Sequence, residues 1–486
     1  MNLKLKYGSL TLVVVGSLFF LSFSIFLLNF ENIEILYVWW LILLAFLPLF
    51  VLSLRIDLIY VKVISGFTLV VLSVSTPFFY IYQEDFVWDK PFGFNLNDAI
   101  PIIFNIFFFL FFFILFSKFF SGKIVSLKRA AERSEKLSAK KTDGYIFLRQ
   151  SFNSRAPIKR YGPEVLVLIF LLFLIPLNFW MFSQGIGIVG IQPPPLPYRL
   201  AGILHYFTKY IAPLILFYFY FLSRSSLITT LLLVAYAFAL GISSLSRFSF
   251  LFVMLPVVYI AISSKKIVPL LISGILIFVG FFFITYTRNF VYVISDNLVG
   301  GNFVDGLFEI IYISANSLFS DEFKIEALLN IPLDMINRVE SFQNLVMAQS
   351  YDIYRVTTPL KLIANSFSIH FFGIDPDLHH LEWQGNILPL GFFNGGGLLS
   401  NVVILGGAGL AWVFIYSFVI TIILFSFEFF SFHLIHQYKF STSISWLITI
   451  FFTFIFFMAG SGTNFIVLMY ALVLIFGLLP PLKLNK

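Results

Sequence analysis

Residues 228–266 read ITTLLLVAYAFALGISSLSRFSFLFVMLPVVYIAISSKK, and this stretch decides the fold. It is too long for one membrane crossing and long enough for two short ones, since a spanning helix takes roughly 20 apolar residues. Its one internal charge, Arg247, falls between the halves, where the first helix would reach a membrane face. A charge beside hydrocarbon is costly, and an arginine kept there commonly serves an anionic group. The plainer reading is a boundary arginine that snorkels to the headgroups. Its Ser and Gly neighbours, rather than an aromatic belt, favour a functional role.

The rest of the chain has the same character. Of 486 residues, 59% are hydrophobic and 11% charged, against about 25% charged in a soluble domain. The mean hydropathy is +0.96. No soluble core could hide this much apolar surface, so lipid is the solvent for most of it. The absence of cysteine removes disulfides, thiolate nucleophiles and Cys-ligated metals. No small-residue cleavage site follows the first apolar run, so 10–30 reads as an uncleaved first helix.

The expected fold class is an all-α integral membrane protein of about twelve transmembrane helices. The candidate spans are 10–30, 36–54, 58–81, 99–120, 164–184, 203–222, 227–245, 248–263, 267–287, 401–425, 441–459 and 463–481. They divide the chain into helices 1–4 (1–121), a basic linker (122–163), helices 5–9 (164–287), a large loop (288–400) and helices 10–12 (401–486). Lys4 and Lys6, the linker cations, Lys265 and Lys266, and Lys483 and Lys486 then share one side, which must be cytoplasmic. Both termini are expected there. The linker, from Lys118 and Lys123 through Lys128, Arg129, Arg133 and Lys136 to Arg160, suits a positive-inside anchor on anionic lipid better than a nucleic-acid or partner site.

The opposite side receives the 288–400 loop, with twelve Asp/Glu against five Lys/Arg. Its stretches 303–319 (FVDGLFEIIYISANSLF) and 332–350 (PLDMINRVESFQNLVMAQS) show helical apolar spacing, so a folded helical loop is expected. Candidate chemistry collects on this side: Arg199 in PPPLPYRL, Arg247, Arg288 in TYTRNF, Arg338, Arg355, His205, His370, and His379, His380 and Glu382 in DPDLHHLEW.

Several arginines around one membrane-face cavity suit a pyrophosphate, because the guanidinium stays charged and binds phosphate oxygens with paired donors. In a glycosyl transfer that group leaves, and arginines aimed at its developing charge lower the barrier. Arg247, Arg288, Arg199 and Arg338 are the candidates for this role. Each has a plainer reading: a boundary anchor, a fixed proline loop or a surface ion pair with Glu340. His379 or His380 has a suitable pKa for a general base. His205 reads more readily as a packed interfacial histidine. HHxE lacks the i, i+4 spacing of a zinc-protease motif, so no metal is expected, and no P-loop, GxSxG elbow or Rossmann fingerprint occurs.

Three segments resemble the Wzy-type polysaccharide polymerases, the O-antigen or oligosaccharide repeat-unit polymerases. They are GIQPPPLPYRLAGILHYFTKYIAP (190–213), SSLSRFSFLFVMLPVVYIAISSKK (243–266) and GFFNGGGLLSNVVILGGAGL (391–410), with the large loop between the second and third. The resemblance covers about residues 165–460. It implies a GT-C-like fold, shared with O-antigen ligases, in a bacterial inner membrane, and a place in polysaccharide or lipopolysaccharide biosynthesis. It implies undecaprenyl-pyrophosphate-linked oligosaccharides as donor and acceptor, transfer of the growing glycan to the next repeat unit at the periplasmic face, and action without a metal or nucleotide; no cofactor is expected, and the membrane-flanking place of the basic residues speaks against nucleic acid. A chain-length regulator and a flippase are the protein partners open to such an enzyme. Arg247 and Arg288 match positions of phosphate-facing arginines in that family. The base stays open among His379, His380, Glu382 and Asp305. An O-antigen-ligase-like transferase and a lipid-linked oligosaccharide flippase are the competing readings.

Overall fold

In the computed structural model, residues 33–81, 96–141, 163–184, 200–222, 227–264, 271–281, 358–366 and 397–438 are described, with single positions between them and on to 457. The described chain is almost entirely helical. Six of its helices are long and apolar enough to cross a membrane, and four further apolar helical stretches are shorter. The protein is thus an all-α chain with the character of a membrane protein. The expected spans 10–30 and 463–481 lie outside the described residues. By internal contacts the chain divides into two units.

The first unit holds α1 (Ile33–Leu54), α2 (Ile59–Ile81), the first part of α3 (Leu96–Lys141), α9 (Pro359–Ser366), α10 (Leu398–Ala408) and most of α11 (Leu410–Tyr438). α1 and α2 form an antiparallel pair. The Trp39 indole N–H donates to the Ser73 carbonyl at one end, and the Ser65 hydroxyl donates to Ser53 at the other, at 2.9 and 2.6 Å. α3 and α11 run parallel and interleave phenylalanines one turn apart. Phe112 and Phe116 lie 5.0 and 5.2 Å from Phe414, Phe116 lies 5.1 Å from Phe418, and Phe120 lies 5.1 Å from Phe425, ring centre to ring centre. Edge-to-face and tilted pairs at this spacing add to the gain from burial, so part of the large phenylalanine content is packing between two helices.

α3 does not stop at the membrane boundary expected near residue 120. It runs unbroken through Gly122 to Lys141, so the first half of the basic linker is a helical extension of the span. Part of the large loop packs inward as well. Leu345 and Ala348, from the amphipathic stretch 332–350, are buried in the core of this unit with Leu362 and Ile363 of α9 and Leu398 and Leu399 of α10.

The span expected over 401–425 is divided. Gly409, at φ 124° and ψ 151°, separates α10 from α11, and its N–H closes α10 on the Gly406 carbonyl at 3.0 Å. Backbone of this kind is open essentially to glycine alone, which is why the break falls here. Gly406 has a different reason: a Cβ there would overlap the Asn105 carboxamide, so it lets α10 approach α3. Gly409→Ala is expected to cost about 1–3 kcal/mol, read as a lower unfolding midpoint in detergent. Gly407→Ala, where nothing lies within 4 Å of the new methyl, should be neutral or slightly stabilising.

The second unit holds α4 (Pro163–Ser183), α5 (Leu200–Tyr206), a π-helical turn (Phe207–Ile211), α6 (Ala212–Leu222), α7 (Leu227–Ser244), α8 (Arg247–Ser264) and the apolar stretch Leu271–Phe281. The long stretch 228–266 is two helices joined by a very short reversal. Leu245 adopts φ 49°, the Ser246 N–H donates back to the Gly241 carbonyl at 3.2 Å, and the Leu245 N–H to that of Ile242 at 3.3 Å. This is a Schellman ending, with leucine where glycine is usual. Leu245 is fully buried there, and burial of its side chain offsets the left-handed backbone. Ser246 then caps α8, its hydroxyl accepting the Ser249 N–H at 3.2 Å. Arg247 is therefore the first residue of α8.

Phe250 anchors this hairpin. A Cβ on Gly280 would overlap its ring, and one on Gly241 would stand 3.0 Å from its Cβ and overlap Ile284. Small residues thus admit one large ring, the way helices pack where lipid gives no hydrophobic drive.

Candidate functional site

In the second unit, the end of α4, the π-helical turn and the end of α7 border a small, partly open cavity. Its lining is Asn178, Met181, Ile186, His205, Thr208, Lys209, Leu240, Ser243 and Ser244. Its volume is about 10 Å³, the order of one water site. His205 and Lys209 are each half-buried, and Thr208 is buried.

The π-helical turn sets this geometry. Widening the helix by one residue breaks the regular i to i−4 pattern, and such turns gather at functional sites. The Thr208 carbonyl is met from the neighbouring helix, accepting the buried Tyr236 hydroxyl of α7 at 3.2 Å. The Thr208 hydroxyl donates back to the Leu204 carbonyl at 3.0 Å. Ser243 and Ser244 both donate to the Leu240 carbonyl, at 3.3 and 2.6 Å, and the Asn178 amide donates to the Leu174 carbonyl at 2.9 Å. The Lys209 Nζ lies 5.7 Å from the Tyr210 ring centre.

A second polar cluster sits in the core of the first unit. The Glu428 carboxylate is fully buried and paired with Lys128, whose side chain is 11% exposed. One carboxylate oxygen accepts the backbone N–H groups of Ile59 and Tyr60, at 2.8 and 3.2 Å. It thereby caps the first turn of α2, where the helix dipole favours an anion. Lys128 also donates to the Asp57 carbonyl at 2.6 Å and lies 4.9 Å from the Phe432 ring centre. Beside it the Tyr60 hydroxyl donates to Ser117 at 3.2 Å.

Of the residues expected from sequence to bind pyrophosphate, Arg247 is placed on the backbone at the start of α8, three positions after Ser244. Arg199, Arg288, Arg338 and Arg355 lie outside the described residues. So do Asp305, His370, His379, His380 and Glu382. His205, read from sequence as a packed interfacial histidine, is half-buried and borders the cavity. Lys209, Asn178 and Glu428 escaped the sequence reading, and each carries a visible signal. Lys209 is a lone cation inside an apolar run, Asn178 an amide two residues after Pro176, and Glu428 a lone carboxylate in the aromatic stretch LFSFEFFSF. Among the described residues no group of three His, Asp or Glu side chains stands close enough to hold a metal ion. Comparison of the chain with protein-family models, with curated proteins and with solved structures found no match.

Proposed function

We propose that the protein is a polymerase of lipid-linked polysaccharide repeat units, a twelve-span, GT-C-like enzyme of the bacterial inner membrane with both termini in the cytoplasm. The reading rests on the resemblance carried by 190–213, 243–266 and 391–410. The observation that supports it best is the α7–α8 reversal. It sets Arg247 at the positive end of α8, three residues from Ser244 of the small cavity, in a hairpin that is otherwise uncharged. In this reading Arg247, with Arg288, Arg199 and Arg338, holds the donor's diphosphate. A hydroxyl on the non-reducing sugar of the acceptor attacks the donor's anomeric carbon. His379, His380, Glu382 or Asp305 takes the hydroxyl proton, the bond from the anomeric carbon to phosphate breaks, and undecaprenyl diphosphate leaves with the electron pair.

The test is reconstitution. The purified chain in lipid vesicles, given one undecaprenyl-diphosphate-linked oligosaccharide, with EDTA and no nucleotide, is expected to yield a ladder of lipid-linked products one repeat apart. Transfer of the glycan only to an added non-polyprenyl acceptor would assign a ligase instead. No product with either acceptor would overturn the proposal.

A further inference from the structure

We propose that the first turn of α8 is an oxyanion site of the diphosphate class, in which the Ser249 hydroxyl donates to a phosphoryl oxygen held at the helix start. In the enzyme proposed above this anion is the donor's diphosphate, and to that extent the inference rests on that reading. The binding itself needs no glycan transfer.

Ser249 carries the inference. The residue is fully buried, and its hydroxyl finds no hydrogen-bond partner among the described residues. Other buried hydroxyls on these helices donate to the carbonyl four residues back: Ser65 to Val61 at 2.6 Å, Ser73 to Leu69 at 2.5 Å, Ser244 to Leu240 at 2.6 Å and Thr421 to Ser417 at 2.7 Å. Ser249 lacks that outlet, because four residues back stands Leu245, whose φ of 49° puts it outside the helix. It lacks the other usual partner of a third helical residue too. In a capping box that side chain bonds the N–H of the cap residue, but the Ser246 N–H is already given to the Gly241 carbonyl at 3.2 Å. The α7–α8 reversal thus strips Ser249 of both local partners. A buried hydroxyl left in this state is costly, and it signals a bound water, a bound ion or a function.

The surroundings favour an anion over a water. α8 runs 18 residues, from Arg247 to Ser264, so its start is the positive end of a full helix dipole. The Ser249 and Phe250 N–H groups go to the Ser246 hydroxyl and carbonyl, each at 3.2 Å. Those of Arg247 and Phe248 have no carbonyl one turn back within the helix and point out of its end. Ser249 is directed the same way, because every helical Cβ leans toward the helix start. The end is not sealed, since Ser244 and Ser246 keep 7% and 6% of their surface. A hydroxyl donor, two backbone N–H groups and an arginine at the first position therefore share one helix end, and no carboxylate occurs anywhere between Leu227 and Ser264. Phosphoryl oxygens suit such an end. A water would also accept the Ser249 proton, but, being neutral, it gains little from the dipole or the arginine.

The test is an unfolding measurement on the full chain in neutral detergent at fixed ionic strength. Inorganic pyrophosphate offers the anion alone, farnesyl diphosphate the anion on a prenyl chain, and farnesol the chain without the anion. Farnesyl diphosphate should raise the unfolding midpoint and farnesol should not. A rise with pyrophosphate as well assigns a site that reads the anion alone, and no rise with it assigns a lipid-borne one; either result supports the site. No rise with either anion, or an equal rise with farnesol, would overturn it.

Ser249→Ala separates the site from a merely orphaned hydroxyl. Without ligand the variant should unfold no earlier than the unaltered chain, because it loses only an unpartnered buried oxygen. With ligand it should need roughly tenfold more diphosphate for half the rise, as expected for losing a hydrogen bond to a charged group. Arg247→Gln, which leaves Ser249 in place, should weaken binding as well. Half-saturation unchanged in either variant would sink the assignment. Diphosphate binding through Ser249 with no glycan ladder in reconstitution would overturn the polymerase and leave this site standing; a ladder with binding that ignores Ser249 would do the reverse.

Discussion

Replacing Lys128 with methionine is expected to destabilise the first unit by about 3–5 kcal/mol, because it leaves a buried carboxylate without its cation. Glu428 is fully buried, and Lys128 nearly so. The carboxylate joins three segments far apart in the chain: the start of α2 through the Ile59 and Tyr60 N–H groups, α3 through Lys128, and α11 through its own backbone. Removing the cation therefore strips the anion while its helix cap remains. Glu428→Gln should cost less on its side, since a carboxamide oxygen can still accept from Ile59 and Tyr60. The double variant Lys128→Met, Glu428→Gln removes both charges and should recover much of the loss, as replacement of whole buried pairs commonly does. Unfolding midpoints of the four proteins in one detergent give the double-mutant cycle. Simple additivity of the two single losses would show that the groups do not act as a pair.

That pair also marks the limit of what sequence pattern reveals here. Runs of apolar residues such as 36–54 and 164–184 place their own helices, because lipid leaves the backbone no other way to satisfy its polar groups. The two halves of 228–266 separate for the same reason, and Ser246 is a recognisable cap. The reversal itself is less legible, because it uses Leu245 where a left-handed residue signals itself only when it is glycine or asparagine. Gly409 has the opposite ambiguity. In GGAGL, glycine permits either close packing or a break, and only tertiary context assigns packing to Gly406 and the break to Gly409. The basic run beyond residue 120 reads as a linker by charge, while its helix is continued by the span before it. Lys209 and Glu428 fail for a further reason. Pattern reading averages over windows, and one charge in a long apolar run barely alters the average, although a charge among apolar residues is costly.

Arg247→Ala is expected to reduce glycan chain extension by roughly 10²–10³-fold, the range found when one preorganised donor to a developing charge is removed. The backbone makes this a clean test. α8 starts because Ser246 caps it and because the Phe250 N–H reaches the Ser246 carbonyl at 3.2 Å, and the reversal before it is held by Gly241, Ile242 and Leu245. None of these bonds uses the guanidinium, so alanine at the first position of α8 should leave expression and membrane insertion unchanged. Arg247→Lys separates charge from geometry. An ammonium keeps the positive charge but loses the planar pair of donors, so lysine should restore only part of the activity if a diphosphate is gripped in the bidentate way. Full activity with lysine would mean that charge alone suffices at this position. Product ladders from membranes of each variant, with protein levels matched by immunoblot, give the measurement. A normal long ladder from Arg247→Ala would remove this arginine from the reaction, and with it the main support for reading the α7–α8 reversal as part of the active site.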